Sequence, residues 1–142
     1  MEGERSGLTA GGTGILLRAA ATIRRALGLP GLEVEDGVEA HLVLAEIAWL
    51  LGELPTAHEE IERTLEEAAR YELRWLYARA SELAGVILAT LGEQRRAVQR
   101  FEQALEVFCG QQMDTECRRS LAVARSYGGS LFEEKERELS TV

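Results

Sequence analysis

Residues 51–69, LGELPTAHEEIERTLEEAA, and residues 91–109, LGEQRRAVQRFEQALEVFC, align without a gap. They share Leu51/Leu91, Gly52/Gly92, Glu53/Glu93, Ala57/Ala97, Glu62/Glu102, Leu65/Leu105 and Glu66/Glu106, and Ile61 stands opposite Phe101. The 40-residue distance from Gly52 to Gly92 is that of a repeated supersecondary unit. It argues against a closed catalytic domain. Arrays of such units present surface to other proteins, so the repeat constrains architecture and leaves the partner's identity open.

Composition agrees with helices. The 142 residues suffice for one domain with a sizeable core, and 46% hydrophobic with 28% charged residues mark a globular chain. Ala, Leu, Glu and Arg outweigh Val, Ile and Thr, and the only prolines are Pro30 and Pro55. A net charge of −8 opposes non-specific nucleic-acid binding and repels an anionic membrane surface. The longest apolar stretch is interrupted by Glu46 and Glu53, too short for a bilayer span. The N-terminal MEGERSGLTAGGTG is acidic where a signal peptide is basic, so a cytoplasmic location is expected.

Apolar periodicity places the elements. Residues 1–14 are glycine-rich and expected to be flexible. A helix follows with Leu16, Ala19, Ala20, Ile23 and Leu27 on one stripe, ended by Gly28, Pro30 and Gly31. After an acidic loop in which Asp36 is the expected cap, residues 38–51 carry Leu44, Ala45, Ala48 and Leu51 on one side. Gly52 breaks that run. The next helix, to about Ala69, has Leu54, Ala57, Ile61, Leu65 and Ala68 as its apolar face and Glu59–Arg63 and Glu66–Arg70 as i,i+4 pairs. No Gly or Pro occurs between residues 56 and 84, which leaves a turn near Arg70–Arg74. Helices from about Trp75 to Leu91 and Arg95 to Cys109 follow, the latter closed by Gly110. The last segment reads as a helix from Asp114 to Tyr127, a Gly128–Gly129 break and a short acidic helix. Trp75, near a helix start, is expected in the core. Cys109 falls on a face expected to be buried, where packing is favoured over redox chemistry; with Cys117 it makes no disulfide framework and no zinc motif.

These residues resemble the tetratricopeptide repeat family, in a subgroup with lengthened helices. Ala84-Gly85, Gly92, Ala97, Phe101, Ala104 and Leu105 fit its pattern, as do Ala45, Gly52, Ala57, Ile61 and Leu65. The chain departs from it in its 40-residue spacing and in having His41 and Ser81 where the family has a Trp. The resemblance implies an all-α, right-handed solenoid of six to seven helices, within a single domain over residues 15–142. Its full repeats would cover about 38–70 and 75–110, with partial repeats at 15–28 and 114–139.

Catalytic chemistry is not evident. His41 and His58 lie on different helices without a motif, and the only lysine, Lys135, excludes a phosphate-binding loop in the N-terminal glycines. The glutamates form solvated helix faces. A non-enzymatic chain without metal or cofactor is expected. By the resemblance, the first helix of each repeat lines a concave groove, which would contain Glu39, Leu42, Glu46 and Trp49, then Arg79, Glu82 and Val86, then Arg118 and Arg125. Trp49 would either anchor a partner side chain or pack on the preceding helix. The family's carboxylate clamp of Lys and Asn is missing, since the chain has no Asn. The main expectation is a scaffold for a partner's peptide or helix. Two others stand beside it: self-association through Leu16, Ile23 and Leu27, and a sensor of a small molecule or signalling peptide.

Overall fold

The computed structural model describes residues 10–140, with side-chain burial for residues 11–138. The described residues form six helices and no strand: α1 (Ala10–Leu27), α2 (Val34–Leu50), α3 (Leu54–Arg70), α4 (Arg74–Thr90), α5 (Gln94–Gly110) and α6 (Asp114–Ser140). The described residues cluster into two compact units, one up to Glu67 and one from Ala68.

Four helix ends share one backbone device. Gly52, Glu72, Gly92 and Gln112, at a constant spacing of 20 residues, all have positive φ, at 78°, 55°, 86° and 57°. Each donates its N–H to the carbonyl three residues back, and the next residue donates to the carbonyl five back, as in Glu53 to Ala48 and Leu73 to Ala68, both 2.9 Å. This pattern satisfies carbonyls that a helix end otherwise orphans. The 40-residue repeat is therefore two 20-residue steps. Glycine occupies the left-handed position in one turn and a residue with a side chain in the next.

Three boundaries differ from the expectation. Helix α1 begins at Ala10, so Gly11, Gly12 and Gly14 lie within it; residues 1–9 of the segment expected to be flexible fall outside the described residues. Helix α2 begins at Val34, four residues early, with Glu35 and Asp36 in its first turn, where carboxylates complement the helix dipole. Asp36 is thus not the cap; that position is Glu33, in extended backbone. Gly110 belongs to α5, and the left-handed residue that ends the helix is Gln112.

In the first unit, Leu16, Ala19, Ile23 and Leu27 of α1 pack on a cluster of Ala20, Leu44 and Ile47. The residues expected to mediate self-association thus already cover the chain's own α2, half-buried. Helices α2 and α3 are tied by His41 Nδ1, 3.1 Å from Glu60 Oε2, while Arg63 pairs with Glu67 at 3.4 Å.

In the second unit α4, α5 and α6 each pack on the other two. Leu76, Ala80, Ala84, Ile87 and Leu88 are buried at helical spacing. Gly85 is dictated by contact: a Cβ there would fall 2.4 Å from a ring carbon of the fully buried Phe101. Helix α6 is two segments meeting at Gly129 (φ 61°, ψ −149°). Arg125 Nε donates to Glu136 Oε1 at 3.2 Å across that break, although eleven residues of straight helix would span roughly 16 Å. The chain therefore folds back there.

Candidate functional site

Of the expected groove residues, Glu39, Leu42, Glu46 and Trp49 belong to the first unit. Glu39 and Glu46 are exposed, Trp49 is half-buried, and Leu42 is core at 3% exposure. In the second unit Val86 is core at 6%. Leu42 and Val86 therefore offer no docking surface, because each turns inward with the aliphatic face of its helix.

The remaining groove residues of the second unit meet two others. Trp75, expected in the core, is 43% exposed. The inward positions of α4 start at Leu76, and a step of one residue rotates a side chain by about 100°. The Arg79 guanidinium lies 5.1 Å from the centre of the Trp75 ring, one turn along the same stripe. Glu82 continues that stripe and receives Arg119 Nη2 of α6 at 3.9 Å. Arg119 also sits over the Phe108 ring, 6.0 Å from its centre. Arg118, beside it in sequence, is exposed. The α4–α6 pair thus presents an accessible aromatic ring with the Arg79 guanidinium over it and Arg118 and Arg119 exposed nearby in α6. Arg125 is occupied by its two hydrogen bonds to Glu136, which hold that carboxyl below the usual carboxylate range and raise the Arg125 pKa.

Two further features lie at the unit's corners. At the α3–α4 turn, a recess of about 350 Å³ is lined by residues that include Ala69, Leu73, Tyr77 and Val107, with Glu72 and Glu106. Its volume is at the lower end for small-molecule sites. At the α5–α6 turn, Cys109 and Cys117 are joined by a disulfide with a Cα–Cα distance of 4.9 Å. Both findings correct the expectation from sequence: the two cysteines pair, and Cys109 is exposed, not packed. The two corners correspond: Ala69 and Tyr77 stand 40 residues before Cys109 and Cys117. That register is the signal in the sequence that could have found the pairing, because it sets both cysteines astride a helix turn.

No group of three or more His, Cys, Asp or Glu arranged to hold a metal occurs among the described residues, and no helix there is long and apolar enough to cross a membrane. Compared with known families, characterised proteins and solved structures, the chain has no significant match.

Proposed function

We propose that this chain is a non-enzymatic protein-interaction module of tetratricopeptide-like, right-handed solenoid architecture, and that its second unit binds an acidic peptide with an apolar anchor. The observation that carries this reading is the exposed Trp75 ring under Arg79, continued by Glu82 and Arg119. Trp and Arg dominate the energetics of interfaces, since each offers a large contact area and directed polar groups. Arg79, Arg118 and Arg119 against Glu82 favour carboxylates on the partner. The test is the affinity of a labelled Glu-rich peptide containing one Phe, measured by fluorescence anisotropy. Trp75→Ala and Arg119→Ala should each weaken binding about tenfold or more, with salt weakening it further. Equal binding by the wild type and both variants, or no binding by the wild type, would sink the reading.

A second reading has its own observation. Ile15, Leu17, Leu29, Leu32 and Val34 of the first unit are 60%, 53%, 65%, 42% and 47% exposed. Such exposed apolar residues favour self-association. They are not the residues the sequence singled out, which already pack on α2. Light scattering decides: a dimer that becomes monomeric on Ile15→Glu with Leu17→Glu supports this reading, and a wild-type monomer at high concentration removes it.

A further inference from the structure

The disulfide is the chain's one crosslink and uses both of its cysteines. Cys109 lies in the last turn of α5, and Cys117, half-buried, packs in the first turns of α6 against Ala78, Ala104 and Phe108. The backbone turn between them does not require it. The α3–α4 corner makes the same pair of hydrogen bonds, Glu72 to Ala69 and Leu73 to Ala68, with Ala69 and Tyr77 in the cysteines' places. The crosslink is thus an addition to a corner that already closes, and one of its sulfurs belongs to an exposed residue.

We propose that Cys109–Cys117 is a reversible thiol–disulfide exchange site for a low-molecular-weight thiol, and that its reduction loosens the first turns of α6 without opening the corner. Those turns carry Arg118 and Arg119. Reduction therefore weakens the acidic-peptide site, a last step that rests on the function proposed above. In the exchange an external thiolate attacks Sγ of Cys109. A mixed disulfide forms there as the Sγ–Sγ bond breaks, and the bonding pair leaves with Cys117 as its thiolate. The N-terminal end of α6 and Arg118 favour that anion, against Asp114 and Glu116 in the same turns. A second external thiolate attacks the small-molecule sulfur of the mixed disulfide and releases Cys109. Two external thiols become one disulfide, their two protons go to the two cysteines, and the reverse path restores the bond. A crosslink of purely structural role resists the glutathione pool, whereas an exposed one exchanges with it.

The full chain is equilibrated in buffers of graded glutathione to glutathione-disulfide ratio. Three quantities are read: bond state by alkylation and mass, amide exchange of residues 114–121, and affinity for the Glu-rich, Phe-containing peptide. The bond fraction should follow the ratio in both directions, with a trapped glutathione adduct at Cys109. Reduction should speed exchange at 114–121 by roughly tenfold or more while α4 stays protected. It should weaken the peptide by about fivefold. Cys109→Ser with Cys117→Ser should show the reduced values in every buffer. A bond that persists across the whole series, or an α6 that exchanges equally in both states, overturns the proposal. If α6 responds and the peptide binds neither form, the exchange site stands and the peptide reading falls.

Discussion

The corners at Glu72 and Gln112 are built on the same backbone and finished differently. Both hold a residue with a side chain in the left-handed region, and both place an apolar residue, Leu73 or Met113, immediately after it. At the first, Ala69 and Tyr77 line an open recess. At the second, Cys109 and Cys117 are joined. The comparison separates what makes a helix turn from what reinforces it. Hydrogen bonds and register make the turn at both places, and the crosslink adds constraint at only one.

The largest expected effect tests how far each corner depends on the core beneath it. Phe108→Ala, under the bonded corner, should cost about 3–5 kcal/mol by denaturant unfolding. Tyr77→Ala, at the half-buried edge of the open corner, should cost far less. Equal losses would mean that the recess is as tightly filled as the core. Next in size is the crosslink itself. Closing a loop of separation 8 stabilises by about 2.5 kcal/mol in the chain-entropy account, so Cys109→Ala with Cys117→Ala should lower the melting temperature by an amount matching reduction of the wild type. The reciprocal change, Ala69→Cys with Tyr77→Cys, should form a bond on oxidation and raise the melting temperature. Failure to close would show that the two corners are not superimposable.

Smaller effects follow from backbone strain. Glu72→Gly and Gln112→Gly should each stabilise by about 0.5–1 kcal/mol, because glycine adopts positive φ without the clash of a Cβ. Gly52→Ala and Gly92→Ala should move stability the opposite way by a similar amount, read from urea midpoints. The smallest effect concerns the end of α6. Glu136 has a lowered pKa, so its pairing contributes stability above the ordinary carboxylate value, lost as pH falls through the lowered one. Arg125→Gln should remove that part of the acid dependence in melts from neutral to low pH.

The glycine turns at 52 and 92 were legible because glycine marks a left-handed residue. The turn near 72 could be located only by elimination. The one after α5 reads from sequence as Gly110, since nothing in Gln112 advertises positive φ. Halving the 40-residue period would have found both. Helix faces were legible where apolar residues dominate, as with Leu16, Ala20 and Ile23. Trp75 turns outward against its hydrophobicity, and a large aromatic ring beside a buried Leu76 carries no mark of which way it turns. The Arg79–Trp75 and Glu82–Arg119 contacts depend on side-chain direction and on packing between α4 and α6, which a single sequence leaves unspecified.

The even spacing of the four turns has a consequence for how such a chain can be lengthened or cut. Helices α2, α3, α4 and α5 each have 17 residues, and Gly-Glu follows Leu at both 51–53 and 91–93. Excising residues 53–92 would join Gly52 to Glu93 and recreate the original Leu-Gly-Glu sequence at the splice. Duplicating the same stretch would do likewise. A gene encoding this chain can therefore gain or lose a helix pair by in-frame recombination without inventing a junction, and a protein engineer can use the same seam.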